Sequence, residues 1–192
     1  MKPVEYLGKV EPIVIALFEA ILASERKASQ EHLLYWAKHE YHCHQLEYDS
    51  ETAGDDDKKR HHASQAAEAK EELLLINAAS AAACGAVLQI AQQCIAMAWP
   101  EPAVRQRKGR LLGSQALSAV ICNARNQALH FEEGNLRNGT KGCIDLLHKE
   151  LKLDTLDLSG TRRSLAKDIL SLLGWHSYEL FAKDMVALLA EP

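Results

Sequence analysis

The run SAVICNARNQALHFEEGNLRNG, residues 118–139, sets an arginine, an asparagine and a histidine into an apolar, helix-forming context. Arg125 carries a permanent charge and offers a planar fork to carboxylate or phosphate oxygens. His130 supplies an imidazole, the side chain best suited to accept or donate a proton near neutral pH. Asn126 can orient the imidazole or hydrogen-bond a ligand. Together these types could move a proton and hold an anion. A fold gains nothing from placing arginine and histidine on a largely apolar helix unless they are solvated, paired or used. The plainer alternative is that Arg125 caps its helix or pairs with Glu132 or Glu133, and that His130 is a half-buried histidine at a helix end.

Helix geometry constrains the arrangement. Asn126 and His130 are four apart and share a face. Arg125 and His130 are five apart, about 140° around the axis at 100° per residue. One regular helix does not aim both at one small target. Three solutions stay open: the helix loosens, the long arginine reaches around, or a second copy of the chain completes the site.

The elements that must position these residues read as helical nearly throughout. Sustained period-two alternation is missing and β-branched residues are few. Pro12 suits a helix N-terminus, and Ile13–Tyr48 is rich in helix formers. DSETAGDDD, residues 49–57, is a polar break whose carboxylates favour the start of the next helix. A second long helix is expected from about Lys58 to Trp99, where Gly85 bends it or allows close contact. A third begins after Pro102 and runs to near Phe131. A shorter helix follows over about Gly142–Leu151, and Ser159 caps a last pair joined at Gly174. Without an internal repeat, the chain reads as one all-α domain, residues 1–192, an up-and-down bundle of roughly five helices.

The segment Arg125-Asn126-Gln127-Ala128-Leu129-His130 resembles the R-x(4–6)-H signature of the HEPN superfamily, with the polar second position those domains favour. The resemblance at residue level covers this hexapeptide, and at the level of architecture most of the chain. It implies an all-α bundle, commonly a homodimer that brings two motifs into one cleft. It also implies metal-independent endoribonuclease activity of the toxin or antiviral-effector kind, catalysed by Arg125 and His130 with Asn126 in support. No cofactor is implied, and an antitoxin or regulatory partner is a further expectation. The chain departs from one variant of the pattern. Toxins silenced by a nucleotidyltransferase carry tyrosine two residues after the histidine, where this chain has Glu132. Members without catalysis, acting as interaction modules, supply the alternative reading.

Composition bounds the partners. A net charge of −4 over 192 residues gives no global positive field, so charge-driven, non-specific binding to nucleic acid or membrane is not expected. One local basic patch stands out: RQRKGR places Arg105, Arg107, Lys108 and Arg110 at the expected start of the motif helix, suited to an RNA strand lying along the bundle, with Arg162 and Arg163 as additions. Its plainer reading is a solvated helix start. The five cysteines are scattered without a C-x-x-C pair, which fits reduced thiols packed as small hydrophobes in a cytoplasmic protein. The N-terminus has no apolar run of the signal-peptide kind. Leu73–Pro100 carries no charge and exceeds the roughly 20 residues that span a bilayer. Its Asn77, Ser80, Gln89, Gln92 and Gln93 argue instead for a central helix buried on most sides. His39, His42, Cys43 and His44, with His61 and His62, match no zinc spacing and read as a polar helix end rather than a metal site.

Overall fold

Apolar residues at steps of three and four build the first helix, α1 (Pro3–Tyr48), whose buried stripe is Leu7, Val10, Val14, Phe18 and Ile21. The second, α2 (Asp56–Ala98), buries Cys84, Val87, Leu88, Ala91, Cys94 and Ile95 on the same principle. The computed structural model describes residues 2–48, 56–101, 108–134, 136–159 and 162–190, with 37–48, 56–63 and 66 described as backbone only. The described residues are all-α apart from one short hairpin. After α2 come strands β1 (Leu111–Leu112) and β2 (Gln115–Ala116), then α3 (Leu117–His130) and a 3-10 turn at Phe131–Glu133. There follow α4 (Asn138–Leu151), a 3-10 turn at Asp154–Leu156, α5 (Ala166–Leu173) and α6 (Tyr178–Leu189).

The described residues form two compact units: Leu22–Ser80, and Met1–Ile21 with Ala81–Pro192. In the first, Lys27 and Glu72 pair at 2.6 Å, and Leu33, Leu34, Trp36, Leu74 and Leu75 are exposed. In the second, one continuous core takes in residues of α1, α2 and each later described α-helix, with Leu117, Ile121, Ile144, Leu147, Ile169, Trp175 and Phe181 among its most buried members. Trp175 meets Phe181 edge to face at 4.9 Å between ring centroids. α3 packs against both α4 and α5, which makes it the central element of this unit.

Several expectations need correcting. α1 starts at Pro3, which takes the favourable first helical position, and Pro12 lies inside the helix. Pro12 costs the ladder a single bond, since its missing N–H leaves the Gly8 carbonyl without a helical partner. The motif helix begins at Leu117 rather than soon after Pro102. The hairpin intervenes, turning through Gly113 and Ser114, with a positive φ at Gly113 alone (58°), the pattern of a II′ turn. Glu150 on α4 accepts the Ser114 backbone N–H at 2.6 Å, and the Ser114 side chain together with this backbone bond holds its carboxyl below the ordinary range. Ser159 bonds Asp157 rather than capping a helix. Gly85 is not required for close contact, because a Cβ there would meet the Ala128 Cβ at an ordinary 3.6 Å.

α2 is also less buried than expected. Ala67–Ala98 is long and apolar enough to cross a bilayer by length and composition, and 28% of its most apolar window is buried. Its core-facing stripe is one helix face wide, and alanine and glutamine on the other faces tolerate water.

Burial of Cys94 and Cys143 pushes each thiol up to about 11. Both are therefore expected to resist alkylation at pH 8 in the native protein and to react once it is unfolded. The folded pKa lies above the unfolded value of 9.0, so their contribution to stability is whole below pH 9. It declines as pH rises from 9 towards 11, by at most about 1.4 kcal/mol per pH unit and thiol. Chemical unfolding across pH 8–11 measures that decline.

Candidate functional site

The site begins with the phase of α3. Leu117, Val120, Ile121, Ala124 and Gln127 form its buried face. Gln127 is 1% exposed, so its carboxamide must be satisfied internally. Its Nε2 donates to the Arg163 carbonyl at 2.7 Å, and its Oε1 accepts the Leu165 N–H at 2.7 Å. The loop entering α5 is thereby bound to α3.

With Gln127 inward, Arg125 turns towards α2. Its Nε donates to Gln89 Oε1 and its Nη1 to Asn126 Oδ1 at 3.1 Å. The remaining Nη2 makes no hydrogen bond among the described residues. Asn123, two residues before Arg125, bonds the Ala119 carbonyl at 2.9 Å and accepts the Thr140 hydroxyl at 3.1 Å, which joins α3 to the first turn of α4.

At the other end of the motif the helix departs from regular geometry at His130 itself, where φ is −123° and ψ 11°. The chain tightens into the 3-10 turn and leaves it at Gly134 in the left-handed region, φ 68°. This places Glu133 beside His130, with Oε1 2.6 Å from Nδ1. A carboxylate on Nδ1 favours the tautomer that keeps the proton there and leaves Nε2 as the acceptor.

A cavity of about 120 Å³ opens here, lined by Arg125, Asn126, His130, Glu133, Leu136, Arg137 and Thr140. The three motif residues therefore face one space within one chain. The geometric conflict is met by a helix that ends at His130 and by an arginine held in place from α2. The plainer alternative holds for His130, which is half-buried at the end of α3, and not for Arg125, which bonds Gln89 and Asn126 rather than a glutamate.

The described cations of the basic run, Lys108 and Arg110, do not line this cavity. Arg105 and Arg107 lie outside the described residues. Lys108 Nζ sits over the Trp99 ring, 5.6 Å from its centroid. Arg110 pairs with Asp184 at 2.9 Å and donates to the Leu173 carbonyl at 2.7 Å, while Trp175 Nε1 donates to the same carboxylate at 2.9 Å. Arg110 thus ties the hairpin to the end of α5 and to α6, and a phosphate would have to displace Asp184. Arg163 is committed likewise, to Asp168 and the Thr155 carbonyl. The side chains of His39, His42, Cys43, His44, His61 and His62 also lie outside the described residues, and among those described no group of three His, Cys, Asp or Glu could hold a metal ion.

Four lining residues went unmarked in the sequence: Glu133 as partner of His130, Leu136, Arg137 and Thr140. The i, i+3 step from His130 to Glu133 is the local signal that could have found the first. The rest depend on how α4 returns. No protein-family model, curated protein or solved structure matches the chain.

Replacing Gln127 by leucine strands the Arg163 carbonyl and the Leu165 N–H in the interior. The expected loss is about 2–4 kcal/mol of stability, read by urea unfolding. The loop at residues 163–165 should lose hydrogen-exchange protection with it.

Proposed function

We propose that the protein is a HEPN-type, metal-independent endoribonuclease whose active site is the cavity holding Arg125, Asn126 and His130. The observation that carries this reading is the convergence of those side chains on one open cavity, with a free guanidinium edge and an imidazole Nε2 able to face a ligand.

The residue types define the step. The ribose 2′-OH attacks the adjacent phosphorus while the P–O5′ bond breaks, so no water enters. A base takes the 2′ proton and an acid supplies a proton to the departing O5′. The products are a 2′,3′-cyclic phosphate and a 5′-OH. Arg125 neutralises charge building on the non-bridging oxygens, held in position by Gln89 and Asn126. His130 moves one proton. The second falls to His130 of a second copy, in a homodimer that faces two cavities towards each other. On this reading the protein acts in the cytoplasm, as a toxin or defence effector answering to an antitoxin or regulatory protein.

A second reading rests on a different observation. The exposed apolar residues Leu33, Leu34, Trp36, Leu74 and Leu75 suit a catalytically silent module that works by binding another protein.

Purified protein incubated with total RNA in EDTA separates the two. Wild type is expected to cleave, leaving cyclic phosphate ends. Arg125→Ala and His130→Ala, checked for folding, are expected to lose activity by about 100-fold or more. Cleavage by all three proteins places the activity elsewhere. No cleavage by any of them favours the interaction module.

A further inference from the structure

Arg137 is the one cation in this cavity that the proposed chemistry leaves unused. It stands directly before α4, with φ −57° and ψ 142°, and its side chain makes no cap hydrogen bond. Its carbonyl accepts the Lys141 N–H at 3.0 Å, but its guanidinium makes no hydrogen bond or ion pair among the described residues. Arg110 and Arg163, by contrast, are each committed to a carboxylate and a backbone carbonyl.

Arg125 and Arg137 therefore line one small space from two elements, α3 and the entry to α4. Glu133, the carboxylate among the lining residues, already contacts His130. Two guanidiniums facing one cavity repel each other unless an anion lies between or beside them. A planar fork selects an anion with paired oxygens, and phosphate provides these. Arg162 does not line the cavity but lies close to Gly134, where an added Cβ would be 3.4 Å from its Cζ.

We infer that Arg137 is a second phosphate contact, binding the phosphodiester next to the one held by Arg125 and so fixing the path of a single RNA strand through the cavity. This rests on the ribonuclease reading and adds a binding residue outside the R-x(4)-H motif. Phosphate contacts carry no sequence information, so the contribution is equal for all RNA sequences.

The test uses the full chain and a fluorescent single-stranded RNA that is 2′-O-methylated throughout, which has no 2′-OH and cannot be cleaved by this route. Anisotropy titrations between 50 and 200 mM salt give the affinity and its salt slope. Arg137→Gln is expected to weaken binding several-fold and to lower the slope of log K against log salt by about 0.7, one phosphate's worth on a single strand. Arg137→Lys keeps the charge and should keep most of the slope. Lys183→Gln, an exposed cation on α6, should leave both quantities unchanged and serves as the control for net charge. If Arg125→Gln lowers the slope and Arg137→Gln does not, the second contact is refuted while the RNA reading stands. If Lys183→Gln lowers it as much as Arg137→Gln, the effect is diffuse charge and the inference also falls. If wild type fails to bind the strand, both readings fall together.

Discussion

A single buried carboxamide sets the geometry on which the rest of this site depends. Gln127 is surrounded by core, and its two ends satisfy one backbone acceptor and one backbone donor of the loop before α5. Rotating α3 by even one residue step, about 100°, would break both bonds and bury a different set of side chains. Gln127 therefore fixes the direction in which every other residue of the helix points. Ala128 and Arg125 fall towards α2, where Gly85 and Gln89 receive them. Asn126 and His130 fall on the side where α4 begins. The motif's polar residues thus divide their work: one anchors the helix, and the others inherit their orientation from it.

The two ends of α3 are held by different means. At the start, the Leu117 N–H donates to the Arg110 carbonyl at 2.8 Å, and the Ser118 N–H and hydroxyl bond the Lys108 backbone at 3.1 and 3.0 Å. These bonds explain how a helix without a side-chain cap can start at Leu117. They also draw the backbone of Lys108 and Arg110 against the start of α3. Arg110 is partly desolvated there, and its bonds to Asp184 and the Leu173 carbonyl compensate. At the far end no fully buried residue of α3 follows Gln127, and the chain tightens into a 3-10 turn and leaves it in the left-handed region at Gly134. The rigid end is structural and the loosened end carries the titratable group.

Much of the helical layout was legible because it rests on local rules. The three-and-four spacing from Leu7 to Phe18 and from Cys84 to Ile95 is a pattern a sequence displays openly, and Gly174 ends α5 as its type suggests, with φ 72°. Leu111–Ala116 was misread because six residues are too short for alternation to emerge. The signal was the Gly-Ser pair alone, which selects a two-residue hairpin turn. Pro12 misled because one lost ladder bond is tolerated in a helix of 46 residues. At the site, Arg125, Asn126 and His130 were visible as types and spacing. Gln127, in the middle of the same hexapeptide, looked like filler, since nothing local reveals that a carboxamide will meet a loop 36 and 38 residues away. Arg137 and Thr140 were hidden for the same reason: their place at the cavity is a property of how α4 packs back on α3.

The cavity changes what a second copy of the chain is needed for. From the angle between Arg125 and His130 alone, a dimer recommends itself as the means of bringing an arginine and a histidine together. One chain already brings them to a shared space, so that reason lapses. A different reason replaces it. Transphosphorylation moves two protons, one off the 2′ oxygen and one onto the 5′ oxygen, on opposite sides of the phosphorus. Among the described lining residues, His130 and Glu133 are the groups suited to that work, and they lie 2.6 Å apart, joined to each other. Two groups joined in this way occupy one place, whereas the two transfers lie on opposite sides of a phosphate. They cannot serve as independent base and acid at its two ends. On the proposed reading a second proton carrier must come from outside this cavity, and the counterpart His130 has the right chemistry without requiring a new residue. The constraint that argues for a dimer is thus the count and placement of protons rather than the turn of a helix.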